Sequence, residues 1–237
     1  MQFEIISADI TKVVADAIVL PANPDLREGA GASAAIYAAA GRSRLAAACD
    51  EARKACGRLA DGSAIATPAY DLSANYILHA VVPRWRGGVH DEYARLSSAY
   101  LSSLYGADQL ECGSIAFPLL ASGNNGFDLR LAFDIARESI EQYEPEHLER
   151  VVLVLYGSHT VDAVRSWGYE VVDAGGGRVP AAPNNNLLDL GRKAVDVAAG
   201  FVMTGLNVAL DWLGDPKNQE EIIRWGVRIA REVLDGE

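Results

Sequence analysis

The chain has 237 residues, half of them apolar and 22% charged, a balance that fits one or two globular domains with a sizeable core and excludes a largely disordered chain. Its 21 Lys and Arg stand against 32 Asp and Glu, a formal charge of -11 that opposes general attraction to nucleic acid or anionic lipid. An anionic ligand would therefore have to be held locally, by backbone amides.

The opening "MQFEIISADI" alternates like a strand and lacks both a basic n-region and an apolar h-region, so no signal peptide is expected. Strands and helices then alternate up to about residue 172. "FEIISAD" and "ADAIVLPAN" read as strands, and "SAAIYAAAG" as a short helix with Gly41 past its end, where a left-handed cap would fit. "RSRLAAACDEARKAC" reads as a second helix, followed by two strand-like runs, "SAIATPAY" and "NYILHAVVP". Helical apolar spacing returns in "EYARLSSAYLSSLYGA", and "SIAFPLL", "RVVLVLY" and "GYEVV" supply three more strand candidates with intervening helices. The alternation predicts an α/β fold with helices on both faces of a mixed sheet, and in such sheets ligands gather at the carboxyl ends of the strands.

A break follows at "DAGGGRVPAAPNNN", where three glycines, two prolines and three asparagines over residues 173–186 read as a linker. Beyond it, residues 187–237 read as a small helical hairpin turning at "GDPK". Its uncharged run from Val197 to Leu210 covers fourteen residues. A bilayer span takes roughly 17–25 apolar residues, so no transmembrane segment is expected here. Packing on the chain's own domain is the plainer expectation for the hairpin; a homo-oligomer contact or the docking of a partner is the other. Cys49, Cys56 and Cys112 form no metal-ligand pattern with the four scattered histidines, so reduced thiols in a cytoplasmic protein with no metal site are expected.

Four segments carry residues suited to ligand chemistry. In "SADITK", Asp9 ends a strand and could accept hydrogen bonds from an exocyclic amine, although a turn or N-cap role is the default for such an aspartate. In "LPANPDLREGAGASAAIY", a strand ends at Asn23 and opens into Gly29, Ala30, Gly31, Ala32 and Ser33 before a helix. Small residues beside a helix N-terminus leave amides exposed for an anion. In "LLASGNNGFD", Ser122, Gly123, Asn124, Asn125, Gly126 and Phe127 make a second glycine loop between strand and helix, with Asp128 placed as N-cap. Two such loops could clamp a diphosphate from both sides. Tyr156, ending "VVLVLYG", could stack on a purine or sit as a strand-end core residue. His79 lies in an apolar strand and reads as a core histidine, while Arg84, Trp85 and His90 in "PRWRGGVHDEY" read as surface packing by default and as a rim of the site otherwise.

"SADITKVVADAIVLPANPDLREGAGASAAIYAAAG" and "SIAFPLLASGNNGFD" resemble the two signature regions of macro domains, the ADP-ribose-binding α/β/α modules, and the resemblance extends through "NYILHAVVPRW". It covers about residues 1–172 and implies a three-layer fold with a mixed central sheet. The resemblance implies that Asp9, with the Ile10 amide nearby, binds the adenine amine and that Asn23 contacts the distal ribose. It implies further that residues Gly29 to Ser33 and Ser122 to Gly126 form the diphosphate loops. Phe127 would pack near the distal ribose and Tyr156 would cover the adenine.

The sequence departs from the hydrolytic members at Leu20, where their pattern has Asn, at Ser33, where it has Asp, and at Tyr37, where it often has His. Asn124 and Asn125 replace a usual apolar pair, and a modified ribose with an extra hydrogen-bonding group is one hypothesis this motivates. The function implied is binding of ADP-ribose or a derivative, with no cofactor and with an ADP-ribosylated protein as a further partner. Direct nucleic-acid binding is not expected, and poly(ADP-ribose) would engage only by a terminal unit. One alternative is hydrolysis of an ADP-ribosyl protein or of O-acetyl-ADP-ribose, in which Asn23, Ser33 or the substrate's own phosphate positions water. The other is a sensor acting through residues 187–237.

Overall fold

The structure, a computed structural model, describes residues 1–174. The helical tail at 187–237 and the expected linker beyond Ala174 lie outside the described residues. Seven strands form one sheet: β1 (Gln2–Ser7), β2 (Ala17–Ala22), β3 (Ala64–Pro68), β4 (Tyr76–Val81), β5 (Ser114–Pro118), β6 (Arg150–Leu155) and β7 (Val172–Asp173). Their order is β3-β4-β2-β5-β6-β1-β7, with β3 antiparallel to β4 and every other pair parallel, which makes the sheet mixed.

Five helices cover it: α1 (Ala32–Ala40), α2 (Arg42–Cys56), α3 (Glu92–Gln109), α4 (Leu129–Glu141) and α5 (Ser158–Ser166). The period-two alternation of each strand divides the core between the faces. On one face Ala17, Val19, Leu78, Ile115, Phe117 and Leu153 meet Tyr100, Leu104, Phe133 and Val164 of α3, α4 and α5. On the other, Ile18, Leu20, Ile77, Ala116 and Val152 meet Ile36 of α1 and Leu45 of α2. Each fully buried Leu or Ile contributes roughly 1.5–3 kcal/mol relative to exposure, so both faces hold the layers together.

Two features position the site. The pairing of β2 with β5 stops at Ile18↔Ala116, and Pro21 brings no N–H to the ladder, so the two strands part toward their carboxyl ends. A crevice opens there, at the point in the sheet where the chain's direction of winding changes. The loop between α4 and β6 is fixed by a buried carboxylate on α3. Asp108 accepts hydrogen bonds from the amides of Glu146, His147 and Leu148 at 3.1, 2.8 and 2.9 Å and from the Tyr143 hydroxyl at 2.7 Å.

The last strand is shorter than "GYEVV" predicts. Arg165 donates to the Val171 carbonyl, and only Val172 and Asp173 pair with β1, so Asp173, the first residue of the expected linker, is still part of the sheet.

Candidate functional site

A cleft of about 1220 Å³ runs across the carboxyl ends of the parallel strands. Asp9, Val154 and Tyr156 line it at the β1–β6 end, the two glycine loops line its middle, and the segment after β4 lines the far end.

The first loop is organised by Asn23. Its side-chain oxygen accepts from the amides of Asp25 and Arg27 at 3.1 and 3.2 Å, and its Nδ2 donates to the Arg27 carbonyl at 2.7 Å. This is the local bonding that favours asparagine in turns. Ser33 is buried, and its hydroxyl oxygen accepts from the Gly29 amide at 3.0 Å. Gly31, the N-cap of α1, has φ of +61° and no side chain to cap the helix, and the amides of Ala30, Gly31, Ala32 and Ser33 make no hydrogen bond with the described residues. An L side chain would be strained at Gly31, and a capping side chain would occupy the donors that the helix start presents.

The second loop is built differently. Asp128 caps α4 by accepting from the amides of Arg130 and Leu131 at 2.9 and 3.1 Å, so that helix keeps its own first turn satisfied. The open donors lie upstream, where the amides of Ser122, Gly123, Asn124 and Asn125 make no hydrogen bond with the described residues. Gly126, at φ +79°, turns the chain back so that its amide reaches the Gly123 carbonyl at 3.0 Å. The Asn125 side chain faces inward, with Nδ2 donating to the carbonyls of Val82 and Pro83 at 3.2 and 3.0 Å. That amide group ties the second loop to the end of β4, while Asn124 is exposed.

At the opposite end, Asp9 caps a 3-10 turn at Ile10–Lys12, with Oδ1 accepting from the Thr11 amide and hydroxyl at 2.9 and 2.8 Å. Its other carboxylate oxygen accepts no hydrogen bond from the described residues, and Asp9 lines the cleft. Tyr156 is 79% exposed, its ring standing clear of the protein after β6. Phe127 is buried instead, its ring 5.1 Å from that of Trp85, and neither Phe127 nor Gly126 lines the cleft.

The departures noted at Leu20 and Tyr37 fall in the core. Leu20 is opposite His79 in the β2–β4 ladder, and both are buried. Tyr37 donates to the Leu26 carbonyl at 2.8 Å and touches Cys49 Sγ at 3.2 Å; burial, first, and the Cys49 contact push its phenol well above the usual range. The Tyr37 hydroxyl thus anchors Leu26, which sits in the left-handed region at φ +52°, and with it the first loop. His79 is fully buried with Nε2 2.8 Å from the Thr67 hydroxyl, and burial pushes its pKa down to about 3.

Sequence reasoning missed much of the far end. Arg58, Asp61, Arg86, Glu92 and Arg95 line the cleft beside Arg84 and His90. Glu92 is 2% exposed and accepts from the amides of Arg86 and His90 at 2.8 and 2.7 Å. Burial raises its pKa, and the bonds from the His90, Glu92, Arg86 and Gly88 amides outweigh that and hold it below the usual carboxylate range. A glutamate opening a helix directly after a double-glycine loop is the signal that could have found it. Trp85 packs between Tyr93 and Phe127 at 5.3 and 5.1 Å. Among the described residues no group of His, Cys, Asp and Glu could hold a metal, and no helix is long and apolar enough to cross a membrane.

Comparisons with known proteins agree with this fold. The macro domain family model matches residues 19–136. A macro domain-containing protein of Listeria monocytogenes is 38% identical over 149 residues, covering 63% of this chain and 84% of that protein. An O-acetyl-ADP-ribose deacetylase of Salmonella gallinarum is 37% identical over 161 residues, covering 67% of this chain and 89% of that one. Among solved structures, the Oceanobacillus iheyensis macrodomain with ADP superposes with a TM-score of 0.64 at 31% identity, over 69% of this chain and 88% of that one.

Proposed function

We propose that this chain, which belongs to the macro domain family, binds ADP-ribose or a close derivative, holding the diphosphate between its two glycine loops. The observation that carries the reading is the two sets of open amides, four from Ala30 to Ser33 and four from Ser122 to Asn125, on loops that line one cleft of an acidic protein. Neutral donors left open for a ligand suit a polyanion that the overall charge would otherwise repel. The far oxygen of Asp9 then accepts from the adenine amine, and Tyr156 supplies a ring face for the base. Support comes from relatives whose structures hold ADP or ADP-ribose and whose names record O-acetyl-ADP-ribose as substrate.

A second reading, hydrolysis of an ester of ADP-ribose, is favoured by the names of the deacetylase relatives. Asn23 and Ser33, the two residues expected to position water, spend their side chains on holding the first loop, and Tyr37 faces the core. A water attack in this cleft would therefore draw its base from the substrate's own phosphate.

Isothermal titration calorimetry with ADP-ribose, ADP and AMP tests the main reading. Micromolar 1:1 binding of ADP-ribose is expected, weakened about tenfold in Asp9→Ala, as loss of a charge-assisted hydrogen bond implies. Equal affinity of the variant for ADP-ribose would remove Asp9 from the site, and absence of binding by the native chain would sink the reading. Mass spectrometry of the same mixtures with O-acetyl-ADP-ribose decides between binding and turnover.

A further inference from the structure

Beyond the glycine loops the cleft ends in a cluster of arginines that the nucleotide reading does not use. Arg58, Arg84, Arg86 and Arg95 line it there, against the carboxylates of Asp61 and Glu92. Asp61 is 3.6 Å from Arg95, and Glu92 is occupied by backbone amides. Arg58 lies 4.0 Å from Asp25. Arg84 and Arg86 are exposed, and their guanidinium groups meet no carboxylate among the described residues. In a chain of formal charge -11 this end of the cleft is locally cationic.

A solvated arginine on a loose loop would be unremarkable, but this loop is held at both ends. The Trp85 amide donates to the Asn125 carbonyl at 2.8 Å, and the Trp85 ring is wedged between Tyr93 and Phe127. The amides of Arg86 and His90 are tied to Glu92. Gly88, at φ +79°, lies so close to the Trp85 and Tyr93 rings that a Cβ there would come within 3.0 Å of both. With the backbone fixed before a ligand arrives, only the arginine side chains remain to be ordered on binding.

Sheet order gives the direction. Asp9 and Tyr156 stand at the β1–β6 side, the diphosphate loops follow β2 and β5, and the arginines follow β4 and reach toward β3. A nucleotide lying across the loops with its base at Asp9 points its other end at the arginines, and whatever is attached to that end emerges among them.

We propose that this arginine-lined end is a docking surface for the acidic flank of a polypeptide that carries ADP-ribose, so that Arg84 and Arg86 select modified chains rich in Asp and Glu around the attachment point. The proposal rests on the nucleotide reading of the cleft. Charge complementarity and a pinned loop argue for this occupant, because carboxylates are the groups a planar guanidinium pairs with in a fork.

The test uses the full chain and two synthetic peptides of equal length, each with one ADP-ribosyl group, one flanked by Asp and Glu and the other by Ser and Gln. The quantity read is the ratio of their dissociation constants at low and high salt. Partly exposed ion pairs of this kind change affinity by a small factor each, so a preference of about fivefold for the acidic peptide is expected at low salt, shrinking as salt rises. The ratio should fall to about one in the Arg84→Ala/Arg86→Ala double variant. Asp9→Ala should weaken both peptides together and leave the ratio in place. Equal binding of the two peptides by the native chain, or a preference that survives the double variant, would overturn the arginine assignment while leaving the nucleotide site standing. Failure to bind either peptide or free ADP-ribose would remove the nucleotide reading and this proposal with it.

Discussion

His79 shows how one buried side chain sets a pH limit on the whole fold. Its pKa of about 3 in the native state lies below the ordinary 6.5, so between those values the unfolded chain takes up a proton that the folded chain refuses. The contribution is fully present above pH 6.5 and is lost as pH falls toward 3, with a slope approaching about 1.4 kcal/mol per pH unit. The other three histidines are exposed. Urea unfolding of the native chain and of His79→Gln at pH 6.5, 5.5 and 5 should show the steeper loss only in the native chain, whereas equal slopes would mean that His79 charges in place. An apolar strand marks His79 as a core residue, and the sequence supports that much. The roles of Asn23, Ser33 and Tyr37 were not legible in it, because a side chain's partner is chosen by loop geometry: each residue sits in a ligand signature, and each hydroxyl or amide bonds to the loop itself.

Among elements, the strands of the buried sheet could be read because apolar runs such as "VVLVL" have no other economical place to go. The ends of elements were harder. β7 has two residues, and Arg165 donates to the Val171 carbonyl just before it, a contact that no local pattern encodes. The junction between α4 and β6 depends likewise on Asp108, the last residue but one of α3, whose partners lie far along the chain. Asp108→Ala leaves three backbone amides and one hydroxyl without their acceptor. At about 1–3 kcal/mol for a buried donor left unsatisfied, with partial rescue by water, a total loss of roughly 3–5 kcal/mol is expected in denaturant unfolding. A loss below about 1 kcal/mol would show that the loop finds other partners.

For the whole molecule, an acidic surface and an anion-binding cleft coexist because the donors in the cleft are uncharged amides. Burial of a lysine there would carry a desolvation cost that pre-formed amides avoid. Fold class and the two loops were visible in the sequence because glycine, asparagine and a following helix start form a local grammar. The cationic far end was visible only in part, as a rim at Arg84 and His90, since Arg58 and Arg95 come from other segments that only the sheet topology brings beside Arg84 and Arg86.

The central claim is that both loops hold one ligand at once. Titrating the 15N-labelled full chain with ADP-ribose and following backbone amide resonances measures this directly. The amides of Ala30 to Ser33 and of Ser122 to Asn125 should shift together along one binding curve, with AMP moving the Asp9 and Tyr156 signals and leaving the first loop nearly still. Shifts confined to one loop, or two loops titrating with different midpoints, would contradict it.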